Sequence, residues 1–193
     1  MITVVALGNP GKKYTNTRHN IGWLVMEALI EKHGMPTPSS RGQFTANVTE
    51  GTLFGEEVNI LFPTTFMNNS GVSAKKYMEE AGSGSQLVVV HDEIDLPLGE
   101  IKISKDRGAG GHNGVRSIIE KCGKDVVRIR LGVRHKGLFG VSKRPHGDKL
   151  SKYVLAEFKS GELKKISEIA ELTEKALELI AKEGVEKAMQ ECN

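Results

Sequence analysis

Short apolar runs alternate along the chain with segments whose apolar residues recur at helical spacing. The runs at residues 2–7, 87–90 and 126–134 have the length and composition of strands, and so does 100–104. Residues 44–49 and 58–62 predict a hairpin around Gly51 and Gly55. Helical spacing predicts helices over 21–32, 72–80, 115–121 and 163–181, with a break at Gly184 and a short last helix.

The order of these elements predicts the fold class. Helices lie between strands, and only one hairpin interrupts the alternation. We therefore predict an α/β fold: a single three-layer α/β/α domain over residues 1–193, built on a mixed, mostly parallel twisted sheet. A chain of 193 residues is long enough to bury one core.

Composition narrows the class of protein. With 38% hydrophobic and 26% charged residues, the chain has the make-up of an ordinary soluble domain. No apolar run approaches the roughly 18 residues of a membrane span, and the first residues indicate a strand rather than a signal peptide. Cys122 and Cys192 fit no metal spacing and need no oxidising compartment, so we expect a cytoplasmic protein.

Charge is distributed unevenly. Residues 99–152 hold 14 Lys and Arg against 5 Asp and Glu, a local net charge of +9 in a chain of +3. Such a segment indicates a polyanionic partner that touches one face, although a merely solvated basic surface is the alternative.

Polar side chains gather where the predicted strand 87–90 ends. His91, Asp92, Glu93 and Asp95 follow it, and a glycine-rich loop at 108–114 comes later. Ligand crevices of open α/β sheets lie at the carboxyl ends of strands. The alternative is a charged turn followed by a flexible loop.

Two nucleotide motifs are ruled out by spacing. After Gly8 only two residues precede the Gly11–Lys12 pair, where a P-loop needs four, and Lys13 stands in place of Ser or Thr. Asn113 occupies the third glycine position of a dinucleotide fingerprint. We therefore expect no nucleotide cofactor.

The predicted loops at strand ends suggest hydrolytic chemistry. No Ser or Cys has a nucleophile signature, whereas a His oriented by an Asp can draw a proton from water and Asn amides can hold a carbonyl. Simpler roles remain open: His19 as structural, Met67 as core, Asn68 as a turn former and Asn20 as the N-cap of the first helix. The candidate groups are Asn9, His19, Asn68, Asp92, His112 and Asn113.

A metal site is the competing hypothesis. His91, Asp92, Glu93, Asp95 and His112 could ligate Zn²⁺ or Mn²⁺, but they show no H-E-x-x-H or similar spacing.

Six motifs together resemble the bacterial-type peptidyl-tRNA hydrolases, in that family's order and over about residues 2–180. They are LGNPG (7–11), TRHN (17–20), PTTFMNNSG (63–71), HDEIDLPLG (91–99), GGHNG (110–114) and RIRLG (128–132). The resemblance implies hydrolysis of the ester between a peptide and the 3′ end of tRNA, without cofactor or metal. Such an enzyme recycles tRNA after abortive translation, and we expect it to act as a monomer.

The resemblance also implies roles for individual residues. His19 matches the general base, Asp92 the residue that orients it, and Asn9 the one that stabilises the oxyanion. Asn68 and Asn113 match positions that bind peptide backbone and the 3′ end, while Tyr14, Met67 and His112 match residues that line the crevice.

The chain departs from the family at the clamp for the tRNA 5′ phosphate. One clamp position is Arg130, but the other is Ser104, with Lys102 and Lys105 close by. We expect Lys105 or Arg107 to supply the second charge. The segment 138–146 also looks longer and more basic than is usual. A noncatalytic RNA-binding protein on this fold, like certain organellar splicing factors, is the alternative function.

Overall fold

A computed structural model describes residues 1–82, 84–137 and 140–193. Within these residues seven strands form one sheet in the order β2-β3-β4-β1-β5-β7-β6, and two further strands pair separately. The strands are β1 (Ile2–Ala6), β2 (Ser39–Arg41), β3 (Ala46–Leu53), β4 (Glu56–Pro63), β5 (Gln86–Pro97), β6 (Ile101–Ser104), β7 (Val127–Arg134), β8 (Lys136–Gly137) and β9 (Gly140–Val141).

The sheet is mixed, as the sequence predicts. Strands β4, β1, β5 and β7 are parallel neighbours at its centre. Antiparallel strands flank them on both sides, β3 next to β4 and β6 next to β7. The predicted hairpin is confirmed as β3 and β4.

Helices cover both faces of the sheet, which gives the predicted three layers. Alternate residues of β1 point to opposite faces: Val4 and Ala6 pack with α1 and α6, and Val5 packs with α2 and α3. No helix in the described part of the chain is long and apolar enough to cross a membrane. The helices are α1 (Ile21–Lys32), α2 (Ser70–Ala81), α3 (Asn113–Cys122), α4 (Asp148–Val154), α5 (Ser160–Leu163), α6 (Ile166–Lys182) and α7 (Val185–Cys192).

Strand β5 is longer than predicted. The sequence predicts its end at Val90, where the apolar run stops and β1 also ends, opposite Val90. However, β7 continues to pair with β5 in register as far as Glu93, and pairs again at Pro97 after a register shift. Asp92 therefore lies in a strand rather than in a turn, although it still lies beyond the carboxyl end of β1.

Other differences concern the C-terminal third. The helix predicted over 163–181 corresponds to α6, which begins three residues later, whereas α4 and the short α5 are absent from the prediction. The predicted loop 135–147 contains β8 and β9, but its residues 138 and 139 lie outside the described part, and so does part of the basic 138–146 segment.

The backbone of α1 at Gly22 lies very close to the ends of β1 and β5. A Cβ atom on Gly22 would lie 2.6 Å from the carbonyl oxygen of Val90 and 2.7 Å from that of Leu7. Any larger residue would push the first turn of α1 away from β1 and β5. Gly22 thus allows the residues just before α1 to reach the end of β5.

A buried ion pair anchors the same pre-helix segment to the C-terminal part of the chain. Arg18 Nη2 lies 2.8 Å from Glu162 Oε2, and both side chains are less than a tenth exposed. Arg18 Nη1 donates to the carbonyl oxygens of Ala156 and Glu157, at 3.2 and 2.9 Å. The guanidinium also faces the ring of Tyr153. The backbone next to His19 is therefore held from several directions.

We expect Glu162→Ala to lower the free energy of unfolding by about 3–5 kcal/mol, because it leaves the Arg18 charge buried without its partner. Glu178→Ala is the matched control, since Glu178 pairs with Lys182 on the exposed surface of α6 and should cost at most about 0.5 kcal/mol. Urea unfolding measures both. Equal losses in the two variants would show that the buried pair has no special importance.

Candidate active site

A cavity of about 420 Å³ opens at the edge of the sheet where β1 ends and β5 continues. It collects residues that are far apart in sequence, from the loop after β1 to the segment around α4. Predicted site residues that line it are Asn9, Tyr14, His19, Met67, Asn68, Asp92, His112 and Asn113. Lys102, Lys105 and Arg130 do not line it.

One carboxylate oxygen joins two imidazoles at the wall of this cavity. Asp92 Oδ1 lies 2.8 Å from His19 Nδ1 and 2.8 Å from His112 Nε2. Asp92 is only 4% exposed, and the two rings lie 4.9 Å apart. The His19–Asp92 contact agrees with the predicted pair. The contact of His112 with Asp92 is not predicted by the sequence, which places His112 only among the crevice residues and the possible metal ligands.

The environment keeps Asp92 ionised. Burial alone raises the pKa of Asp92, but the charges and hydrogen bonds of His19 and His112 outweigh burial and hold that pKa well below its ordinary value. Burial lowers the pKa of His19, yet the charge and hydrogen bond of Asp92 raise it above the ordinary value. An ionised carboxylate only accepts hydrogen bonds. Both contacting ring nitrogens must therefore carry protons, which leaves the lone pair of neutral His19 on Nε2.

Asn9 is oriented by its neighbours. Its Oδ1 accepts a hydrogen bond from the backbone N–H of Met67 at 2.9 Å. A backbone N–H requires an oxygen there, so the amide cannot be flipped and Nδ2 is left as a free donor at the cavity. Within the described residues Nδ2 has no hydrogen-bond partner.

Asn20 supports Asn9 rather than capping α1. Its Oδ1 accepts from the backbone N–H of Asn9 at 2.9 Å, and its Nδ2 donates to the carbonyl oxygen of Asn9 at 3.0 Å. Asn20 occupies the N-cap position of α1, as predicted, but its side chain makes no capping hydrogen bond. The loop after β1 offers it two partners at once.

The remaining predicted residues surround this centre. Asn68 lies in the 3₁₀ turn Met67–Asn69, and Asn113 is the first residue of α3. Both are exposed, and neither side chain is hydrogen-bonded within the described residues, so both amides are available to a ligand. Met67 is buried against Gly114, while Tyr14 is half-buried.

The alternative metal site does not form as the sequence suggests. His91 Nδ1 donates to the backbone oxygen of Asp92, while Glu93 and Asp95 pair with Arg130 and Arg144. The described part of the chain instead offers His19, Asp92 and His112 as possible ligands.

His112 is poorly suited to bind a metal. Its Nδ1 accepts hydrogen bonds from the backbone N–H groups of Gly114 and Val115. A neutral imidazole that coordinates through Nε2 carries its proton on Nδ1, where it would face two further donors. The donor set therefore fits a proton-transfer site better than a metal centre.

The candidate clamp residues are distributed along β6 and β7. Lys102 and Arg130 are cross-strand partners, so their side chains share one face of the sheet. Arg130 Nε and Nη2 lie 2.9 and 2.8 Å from Glu93 Oε2, which anchors the guanidinium.

The other candidates lie at the end of β6 and just beyond it. Ser104 is buried opposite Arg128, and Lys105 Nζ lies 3.2 Å from Asp125. The structure thus brings Lys102, but not Lys105, next to Arg130.

Known proteins share both the sequence and the fold. The family model for peptidyl-tRNA hydrolase matches residues 3–193. Peptidyl-tRNA hydrolases from Thermodesulfovibrio yellowstonii and Syntrophotalea carbinolica are 40% and 41% identical. The matches cover 98% and 100% of this chain and 97% of each relative.

A crystal structure of the Acinetobacter baumannii enzyme superimposes with a TM-score of 0.84 at 30% identity, over 100% of this chain and 94% of that one. A match over nearly the whole chain, with the same fold, identifies the family. The chain belongs to the peptidyl-tRNA hydrolase family.

Proposed function

We propose that this chain is a carboxylic ester hydrolase (EC 3.1.1.29) that frees tRNA from peptidyl-tRNA, with His19 as general base. The observation that carries the assignment of His19 is its hydrogen bond to the buried Asp92 carboxylate. That bond leaves Nε2 as the proton acceptor in a cavity that is also lined by Asn9, Asn68 and Asn113. Family membership supplies the substrate class, and the site supplies a way to cleave it.

The reaction follows from these groups. His19 Nε2 takes a proton from water, and the resulting hydroxide attacks the ester carbonyl carbon. Collapse of the tetrahedral intermediate breaks the bond to the ribose oxygen, which receives the proton back from His19. The products are a tRNA with a free 3′ hydroxyl and a peptide carboxylic acid, which releases its proton to solvent. Asp92 stabilises the imidazolium that exists between the two transfers.

The amides share the work of binding. Asn9 Nδ2 is fixed in place through Met67 and Asn20, so it can donate to the developing oxyanion without reorganisation. Asn68 and Asn113 hold the peptide backbone and the 3′ end. Met67, Tyr14 and His112 shape the crevice. Because an attacked carbonyl needs donors rather than acceptors, the amide orientation at Asn9 supports this division of roles.

A noncatalytic RNA-binding role explains less of the site. It would use the basic surface but would not need an ionised carboxylate buried between two imidazoles. Hydrolysis of an N-blocked aminoacyl-tRNA distinguishes the two functions directly.

The negative phosphates of tRNA are attracted to the positively charged segment 99–152. Arg130 is anchored by Glu93 through Nε and Nη2, and no hydrogen bond to Nη1 is made by any described residue, so that nitrogen is available to a phosphate. Lys102 lies across the ladder. We assign the second clamp charge to Lys102 because Lys105 is already paired with Asp125. We further propose a cytoplasmic enzyme, because its substrate is made on ribosomes. It acts as a monomer of one domain, since both hydrophobic clusters pack against the same sheet.

We expect His19→Ala and Asp92→Asn each to lower kcat by about 10²-fold or more on N-blocked aminoacyl-tRNA, because both remove an oriented base. His33→Ala is the control, since His33 pairs with Glu174 away from the cavity and should keep full activity. Near-parental turnover in His19→Ala would reject the assignment.

The pH dependence of activity gives a second test of the His19–Asp92 pair. A general base works only when unprotonated, so activity should rise with pH through the raised pKa of His19. In Asp92→Asn the raising causes are gone and burial remains, so the residual activity should rise at lower pH than in the parent. If activity rose at the same pH in Asp92→Asn as in the parent, Asp92 would not be raising the pKa of His19.

We expect Lys102→Ala and Arg130→Ala to raise KM for peptidyl-tRNA more than they lower kcat, because they contact phosphate rather than the ester. Each should also make the dependence of log affinity on log salt shallower by about one. Lys105→Ala is the discriminating variant and should change neither value.

A minimal ester substrate without the tRNA body completes the test. It should react equally with the parent and with Lys102→Ala. If Lys105→Ala raised KM while Lys102→Ala did not, the second charge would belong to Lys105.

A further inference from the structure

His112 is hydrogen-bonded through both ring nitrogens, and the two sets of partners differ in kind. Nδ1 accepts from the backbone N–H of Gly114 at 3.1 Å and of Val115 at 3.2 Å, as the N-cap of α3. A backbone N–H can only donate. Nδ1 must therefore present its lone pair, and the positive end of the α3 dipole favours that choice.

The cap decides where the His112 proton lies. A neutral imidazole carries one N–H, so with Nδ1 unprotonated the proton is on Nε2. That nitrogen lies 2.8 Å from Asp92 Oδ1 and donates to it. The start of α3 thus determines the direction of a hydrogen bond to the carboxylate that contacts His19.

A third imidazole, that of His91, contacts both His112 and Asp92. His91 is buried and meets the His112 ring edge to face, with centroids 4.8 Å apart. Burial keeps the pKa of His91 well below its ordinary value, so it is neutral, and its Nδ1 donates to the backbone oxygen of Asp92 at 2.7 Å. Asp92 is therefore fixed at its side chain by His112 and at its backbone by His91.

We propose that His112 is a positioning residue whose capping hydrogen bonds force an N–H onto Asp92, which fixes the carboxylate and selects the His19 tautomer that has Nε2 free. This inference rests on the proposed role of His19 as general base. A carboxylate held by His19 alone could rotate about its last bond, and His19 could then lose its alignment with the cavity. His112 removes that freedom without touching the ester.

Two variants separate the cap from the contact with Asp92. Asparagine is a good N-cap, so His112→Asn keeps an acceptor for α3 but is too short to donate to Asp92. His112→Ala removes both functions. We expect both variants to lose about tenfold in kcat, as removal of outer hydrogen-bond partners of a reactive centre does, with KM within about twofold. Only His112→Ala should also unfold at clearly lower urea concentration.

The pH profile gives a readout that a purely structural role would not change. Without the His112 donor, the Asp92 charge acts more fully on His19, so the acid limb of kcat/KM should move to higher pH in His112→Asn. The other ionisable groups near this cluster are unchanged by the substitution: His91 against the His112 ring, and Tyr14, Glu93 and Arg144 at the cavity. His112→Asn with parental kcat and an unmoved limb would overturn the proposal.

The tautomer itself can be observed in the resting protein. In ¹⁵N-histidine-labelled enzyme at neutral pH, we expect ring ¹⁵N shifts of His112 that show a protonated Nε2 and an unprotonated Nδ1, assigned by the loss of signals in His112→Asn. A protonated Nδ1 would overturn the proposal. The spectrum does not depend on hydrolysis. An active His19→Ala variant would therefore refute the general base while this tautomer stayed measurable on its own.

Discussion

The hydrogen bonds from two imidazoles to one buried oxygen of Asp92 determine much of the architecture around the site. A buried carboxylate is costly unless it is fully hydrogen-bonded, and Asp92 is 4% exposed. To satisfy it, three segments must meet: the turn before α1, the extension of β5, and the start of α3. Gly22 admits the first of these, and continued pairing with β7 maintains the second.

The groups around Asp92 are held by further buried contacts rather than by the carboxylate alone. Arg18 and Glu162 tie the backbone next to His19 to the C-terminal segment. Asn20 holds the Asn9 backbone and Met67 holds its side chain. Each support comes from a different element, so the proposed base and the proposed oxyanion donor are held in place by the protein itself. For the proposed hydrolysis, such preorganisation means that the dipoles need not reorient as charge develops in the transition state.

Local patterns predicted the elements well, and long-range partners explain most of the differences. Helix α1 has the predicted bounds, because the spacing of its own apolar residues is enough to predict it. The end of β5 depends on β7. The Asn20 side chain, at the N-cap position of α1, bonds to the distant Asn9 backbone instead of to its own helix. The choice between Lys102 and Lys105 needs the register of β6 on β7. The order of the motifs predicts the His19–Asp92 pair, but not that the Asp92 oxygen bonded to His19 also contacts His112.

The most direct test of the account is to locate the protons of the His19–Asp92 pair. Neutron diffraction from a deuterated crystal, at a pH where the enzyme is fully active, distinguishes the arrangements. We expect deuterium on His19 Nδ1, none on either oxygen of Asp92, and none on His19 Nε2 beside the cavity. Deuterium on Asp92, or on His19 Nε2 with Nδ1 bare, would contradict the assignment of His19 as a base oriented by an ionised carboxylate.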